Sequence, residues 1–186
     1  MIGMKLTISP FASPVGEMLL VTDLEGQVRA LDFSDHRRRL MTRLGEHYPG
    51  FKLEEAPLRQ AIAQALTSYF AGSISALENI PIATNGSPMQ EAVWEALRRI
   101  PAGTTTSYGE LARALGHEDP RAAISVGEAN NTNPVAIIVP CHRVIAKNGE
   151  LKGYAGGVHR KKWLLEHEGA LKQTASELVA MRLPGL

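Results

Sequence analysis

Between Pro134 and Pro140 the chain carries Val135-Ala136-Ile137-Ile138-Val139, five apolar residues that are mostly β-branched, and the run ends on Cys141-His142-Arg143-Val144. A stretch of that composition has to be buried, and its β-branching predicts a strand that delivers Cys141 to a fixed point in the fold. Cys141 is the single cysteine of the chain. It forms no internal disulfide and supplies no thiolate-rich zinc site. A free cysteine commonly behaves as a small buried hydrophobe, so chemistry at Cys141 needs support from other residues.

The totals narrow the field. A chain of 186 residues is long enough to bury a core of its own. A formal net charge of +1 argues against holding nucleic acid by gross positive charge, and leaves a local basic face open. The histidines His36, His47, His117, His142, His159 and His167 lack the short paired spacing of helix-borne metal ligands. No metal and no other cofactor is expected. Met1-Ile2-Gly3-Met4-Lys5 runs directly into strand-like sequence, and no run approaches transmembrane length. The expected compartment is the reducing cytoplasm, where a lone thiol persists, with no membrane partner.

Residues 5–33 predict a small sheet of three strands, Lys5–Ile8, Gly16–Thr22 and Gln27–Phe33, separated by turn formers at Ser13-Pro14 and Glu25-Gly26. A helix over 36–47 presents Leu40, Met41 and Leu44 on one face. Its opening cluster His36-Arg37-Arg38-Arg39 reads as a solvated face in preference to an anion contact. A second helix over 57–71 repeats Leu58, Ile62, Ala65, Leu66 and Tyr69 before Gly72. This half shows no catalytic grouping. Residues 73–87 lack helical periodicity and hold the expected boundary, dividing the chain into 1–84, 85–170 and a tail 171–186.

The second segment is mainly helical, so the class is α+β. Ser87-Pro88-Met89-Gln90 carries the cap, the first-turn proline and the reciprocal glutamine of a helix start. Trp94 in that helix reads as a packing residue. A capped helix from Thr106 to Leu115, closed by Gly116, and another opened by Asp119-Pro120 and running to Asn130, read as a helix-turn-helix. Small residues on the second, Ala122, Ala123, Ser125, Gly127 and Ala129, allow close approach of a partner or of the domain itself. Asn148-Gly149 between extended flanks predicts a tight hairpin, a basic wing beside those helices. Gly153-Tyr154-Ala155-Gly156-Gly157-Val158 predicts a loop offering backbone N–H groups to a ligand. The last two helices are expected at His159–His167 and Ala175–Met181.

A thiol with pKa near ~8.5 is only slightly ionised at neutral pH, so a proton acceptor is needed. His142 is the nearest in sequence, and Glu168 is placed to orient its imidazole or receive the proton through it. Neighbours on an extended chain point to opposite sides, so the pair needs either a bend after Cys141 or a bridging water.

Taken together, Asn133-Pro134, Pro140-Cys141-His142-Arg143-Val144, Gly153-Tyr154-Ala155-Gly156-Gly157, Trp163-Leu164-Leu165-Glu166-His167-Glu168-Gly169 and Ser107-Tyr108-Gly109-Glu110-Leu111-Ala112 closely resemble the O6-alkylguanine-DNA alkyltransferases over residues 88–170. Residues 5–72 fit by layout the family's small ribonuclease-H-like α/β domain, ahead of a helix-turn-helix or winged-helix-like DNA-binding element. The resemblance implies direct reversal of DNA damage. Cys141 would take the alkyl group from O6 of a flipped-out guanine in one displacement, irreversibly, each molecule acting once; O4-alkylthymine is left open as a substrate.

His142 and Glu168 match the relay that activates the cysteine, and Asn133 and Arg143 match residues bracing its loop. Tyr108 matches the tyrosine that helps rotate the nucleotide, while Val144, Tyr154, Ala155 and Gly156 match the pocket lining. The implied partner is double-stranded DNA containing O6-alkylguanine, bound by a monomer, with cooperativity along DNA open. The DNA-facing helix would present Arg121, Ala123, Ile124, Ser125 and Gly127.

One position departs from the family pattern. Ile124 stands where the recognition helix usually carries an arginine that fills the gap left by the flipped base. An isoleucine retains an apolar wedge and loses charge and hydrogen bonds. A second reading therefore stays open, an alkyltransferase-like lesion-binding protein with weak or no transfer. A cysteine hydrolase is the remote third, without an oxyanion arrangement to support it.

Overall fold

The computed structural model of the protein describes residues 2–171. The helix expected at Ala175–Met181 lies outside the described residues. Strands β1 (Lys5–Phe11), β2 (Met18–Asp23), β3 (Val28–Phe33) and β4 (Lys52–Glu55) form one sheet in the order β3-β2-β1-β4. The first three pair antiparallel as a meander, and β4 adds in parallel beside β1. Strand β4, Lys-Leu-Glu-Glu, was not foreseen: it is a polar edge strand, and charge is what edge strands use to avoid further pairing.

Every residue of β2 is buried, because both faces of the central sheet are covered. On one face Leu19 and Val21 pack with Leu6, Ile8 and Ala30 against Leu40, Leu44 and Tyr48, the inward side of helix α1 (Arg37–His47) and its end. On the other, Met18 and Leu20 join a larger core. It runs through Ile62, Leu66 and Tyr69 of helix α2 (Gln60–Phe70) into Val93, Trp94 and Leu97 of helix α3 (Pro88–Arg98) and the helices beyond. Alternation along one strand thus ties both halves of the chain to one sheet. The remaining edge of β3 is covered by passing segments: Val28 bonds Pro81 and Ala83, and Leu31 bonds Pro134 and Ala136.

Both expected helix starts are present as complete capping boxes. Ser87 accepts from the Gln90 amide and Gln90 accepts in return from Ser87, and Ser107 with Glu110 does the same ahead of helix α4 (Tyr108–Ala114). Trp94 is a packing residue, its indole N–H donating to the Ala129 carbonyl at 2.8 Å. Helix α5 (Ala122–Asn131) packs on both α4 and α3, with Val126 and Ala129 buried, completing the helix-turn-helix arrangement. The two-residue strand β5 (Thr106–Ser107) pairs in parallel with β6 (Val144–Ile145). The Asn148-Gly149 turn closes through an Ala146–Glu150 hydrogen bond, but β6 takes its partner from β5. The predicted hairpin is therefore a turn alone. Helix α6 (Val158–His167) ends at Glu168, with Gly169 in the left-handed region at φ 75°. Among the described residues no helix is long and apolar enough to cross a membrane.

Candidate active site

The stretch from Val135 to Val139 is not the strand its composition predicts. Only Val135 bridges to β3; the chain then coils back, Val139 N–H bonding Val135 O, with Ile137 at φ 68°. A β-branched residue in the left-handed region is strained and persists only where its surroundings over-determine it. Here they do. The Asn133 carboxamide accepts from Val135 N at 2.9 Å and donates to Val139 O at 2.8 Å, clamping both ends of the turn, while Ile137 and Val139 are buried. From Pro140 the chain enters a 3-10 turn, Cys141–Arg143, which supplies the bend after Cys141 that an extended strand could not.

This turn is buried and polar. His142 Nε2 lies 2.9 Å from Glu168 Oε1; Arg143 donates Nε to Oε2 and Nη2 to Oε1, each at 2.9 Å, and Nη1 to Ile100 O at 2.7 Å. Tyr69 of α2 adds a further donor, its hydroxyl 2.7 Å from Glu168 Oε1. Burial alone would raise the Glu168 carboxyl, but the hydrogen bonds and charges of His142 and Arg143 override it and hold the group well below the usual carboxylate range. An anionic Glu168 requires the proton of neutral His142 on Nε2. Nδ1 is then the basic atom, and it is buried without a hydrogen-bond partner among the described residues.

Burial pushes the Cys141 thiol up, opposed by the neighbouring Asn133 amide and by the charges of Lys161 and Arg43. Burial pushes His142 down against the pull of Glu168, so the resting site holds a thiol beside a neutral imidazole. Lys161 is fully buried and brought down to about 8 by burial, with Cys141 acting in the opposite sense. Its Nζ donates to Val144 O at 2.6 Å and Lys152 O at 3.0 Å.

Two of the residues matched to the pocket, Tyr108 and Tyr154, lie close enough to Cys141 to feel its charge. The β5–β6 ladder sets Ser107 beside Ile145, and so starts α4 at Tyr108 next to the wall formed by Val144. The Tyr108 ring faces Gly127 of α5, and a side chain at Gly153 would meet its hydroxyl at 3.4 Å. Burial, then Cys141, raises the Tyr108 phenol, and the same two causes raise Tyr154 well above the ordinary value. The loop carbonyls are held from the N-terminal half: Arg39 donates to Ala155 O at 2.6 Å while paired with Asp32, and Arg160 donates to Gly156 O while paired with Asp35. Arg43 likewise donates to Asn131 O and Asn133 O.

One expectation about the first half is corrected by these contacts. Arg37 and Arg38 are exposed, as a solvated face requires, but Arg39 turns inward to Asp32 and the loop. The half also reaches the Glu168 carboxylate through the Tyr69 hydroxyl. Signals for the missed residues existed. Lys161, Leu164, Leu165 and Glu168 share one helical face, and an ionic pair of positions on an apolar stripe demands buried partners. Tyr69 lies on the inward stripe of α2, where a phenol needs an acceptor.

Gly156 is required by space: a β-carbon there would lie 2.7 Å from the Phe33 ring and 2.8 Å from the Tyr154 ring. Gly156→Ala is expected to cost about 1–3 kcal/mol by overpacking. At roughly 2–4 °C per kcal/mol for a chain of this size, calorimetry should show a clear fall in melting temperature; an unchanged one would mean the rings move freely.

On α5, Val126, Ala129 and Asn130 face inward, while Arg121, Ile124, Ser125 and Glu128 face solvent. Ala123 and Gly127 are half-buried. Ile124 is 66% exposed, an isolated apolar side chain at the crest of the helix.

The family model described as "6-O-methylguanine DNA methyltransferase, DNA binding domain" matches residues 88–170. A methylated-DNA--protein-cysteine methyltransferase of Shigella flexneri is 42% identical over 170 residues, 90% of this chain and 98% of that protein. The protein of the same name from Salmonella typhimurium is 44% identical with the same coverage. Among solved structures, Mycobacterium tuberculosis O6-methylguanine methyltransferase superposes with TM-score 0.70 at 33% identity, over 94% of this chain and 99% of that one. The structure of the M. tuberculosis protein OGT in complex with DNA superposes with TM-score 0.72 at 36% identity, over 88% and 93%.

Proposed function

This chain belongs to the methylated-DNA--protein-cysteine methyltransferases, and we propose accordingly that it reverses O6-alkylation of guanine in DNA by moving the alkyl group to Cys141. The observation that carries the reading is the buried grouping of Cys141 and His142, neighbours on one 3-10 turn, with Glu168, in which His142 Nε2 lies 2.9 Å from an anionic Glu168 and Nδ1 has no hydrogen-bond partner among the described residues.

The reaction is a single displacement. The thiol proton passes to His142 Nδ1, directly or through a bridging water; the Sγ–C bond forms as the O6–C bond breaks. The electron pair of that bond leaves on guanine, which takes up one proton, so the net change is proton to base and alkyl to sulfur. Glu168 stabilises the imidazolium formed in passage. Tyr108, raised in pKa and therefore protonated, serves as the donor to the base. The product is a thioether, which has no facile exchange route, and the chain holds no second thiol to relieve it. Each molecule acts once.

The substrate base must leave the stack, since the sulfur is buried within the protein. Val144, Tyr154, Ala155 and Gly156 form the receiving pocket; Asn133 and Arg143 hold the loop bearing Cys141; Arg121, Ala123, Ile124, Ser125 and Gly127 form the face of α5 toward the duplex. We place the working unit as a monomer on lesion-bearing DNA, in the cytoplasm, where its single thiol stays reduced. We likewise keep 1–84 as the supporting domain and 85–170 as the domain of DNA binding and transfer.

The test is intact mass after incubation with a duplex containing O6-methylguanine. One added methyl group, mapped to the peptide bearing Cys141, supports transfer; unchanged mass while the lesion duplex is demonstrably bound would favour a lesion-binding protein.

Ile124 sets the expected weakness. An arginine there would add charged hydrogen bonds worth about 1–2 kcal/mol, a factor of roughly 5–30. Ile124→Arg is therefore expected to speed repair of duplex DNA by about that factor and leave transfer from free O6-benzylguanine unchanged. Equal acceleration of both substrates would remove the wedge explanation.

A further inference from the structure

Tyr69 belongs to α2, in the half of the chain without the nucleophile, yet its side chain ends on the catalytic carboxylate. It is fully buried, and its hydroxyl donates to Glu168 Oε1 at 2.7 Å across 99 residues of sequence. The ring is held at both ends. Its edge contacts are Phe70 at 5.1 Å and His167 at 5.2 Å, and its own carbonyl accepts from His167 Nε2 at 2.7 Å.

Oε1 is the same oxygen that receives His142 Nε2 and Arg143 Nη2. Three donors on one oxygen compete for its electron density, and the share left to the imidazole depends on the other two. We propose that Tyr69 is a positioning residue for the transfer reaction: by donating to Glu168 Oε1 it limits how strongly the carboxylate holds the N–H of His142. The inference rests on the alkyl-transfer reading above and extends it to a residue outside the helical domain.

The consequence concerns the base. A carboxylate relieved of the Tyr69 donor would bind the imidazole proton more tightly and favour imidazolium over neutral His142 at rest. Imidazolium cannot accept the thiol proton. The other charged or titratable groups around this cluster are Cys141 and Arg143 from the 3-10 turn, Lys161 and His167 from α6, and Tyr154 from the loop.

The experiment compares the rate of benzyl transfer from free O6-benzylguanine to Cys141, read by mass, across pH for the full-length wild type, Tyr69→Phe, and a chain with 3-fluorotyrosine at position 69. The small substrate removes DNA binding from the comparison. Rate is expected to rise with pH as His142 becomes neutral. Tyr69→Phe should move the midpoint of that rise upward by about 0.5–1 unit, and the more acidic fluorophenol, a stronger donor, should move it downward. Nitrogen chemical shifts of the His142 ring should follow in the same directions, on protein whose melting curve verifies folding.

A purely structural phenol would scale the rates and leave the midpoints coincident, and coincident midpoints in chains that do transfer overturn the role of Tyr69. A wild type that gains no benzyl mass at any pH overturns the transfer reading and this role with it, a result distinct from coincident midpoints.

Discussion

Cys141→Ala is expected to take no alkyl group from O6-methylguanine DNA at any protein excess, while it still binds the lesion-bearing duplex. The effect is total because the chain has no other thiol, and neither a serine hydroxyl nor a lysine ammonium at neutral pH approaches the nucleophilicity of a thiolate. The fold should survive: losing one buried sulfur costs about 1 kcal/mol. Asn133 loses its contact with the thiol but keeps the bonds to Val135 and Val139 that clamp the turn. The informative measurement pairs intact mass with a binding titration on the same preparation. A methyl adduct persisting in the alanine protein would move the nucleophile elsewhere; lost binding would mean that the thiol also shapes the pocket.

Glu168→Gln has the second largest expected effect and acts on both rate and stability. The amide removes the charge that balances Arg143 and turns one of two acceptor oxygens into a donor, facing either the Arg143 guanidinium, which can only donate, or the Tyr69 hydroxyl, which must turn to accept. Where the amide nitrogen takes the place of Oε1, His142 adapts by accepting at Nε2. That moves its proton to Nδ1 and removes the base from the side that serves the thiol. Transfer should slow by about 10²–10⁴, the range associated with a positioned acid–base group. Leaving the buried Arg143 charge without its partner should cost about 3–5 kcal/mol.

The pH dependence follows with a definite sign. The Glu168 carboxyl is depressed in the folded state, so its contribution is fully present above the unfolded value near ~4.3 and is lost as pH falls from there toward the folded value. The wild type should therefore lose stability on acidification below about pH 5, and Glu168→Gln should lose less over the same window. Parallel acid melts of the two proteins would contradict the assignment.

Much of the candidate site was legible because its signals are local. Pro140-Cys141-His142-Arg143 is contiguous, Glu168 lies just past a recognisable amphipathic helix, and the two capping boxes are written in four residues each. What was not legible was the shape of the stretch leading to Cys141. Its β-branched residues favour an extended chain, and they coil because Asn133 bonds both ends of the turn while β3 takes up Pro134 and Ala136. Arg39 looked like surface charge because arginine usually is; it is drawn in by Asp32 and by a carbonyl 116 residues away.

The sequence by itself determined most of the helices and the first three strands, the nucleophile, His142 and Glu168 as its candidate proton acceptors, and the family whose motifs it carries. Such information resides in residues within a turn or two of one another, where propensity, capping and periodicity act. Tertiary structure decided which groups set the chemistry of those residues: the bend that places Cys141, the fourth donor on Glu168 from Tyr69, and the buried ammonium of Lys161 tying Val144 to Lys152. The reason is that buried polar atoms must find partners wherever packing brings them. Which partner arrives is settled by how the second half and α2 pack together on one face of the sheet, a property of the whole chain and of no local stretch.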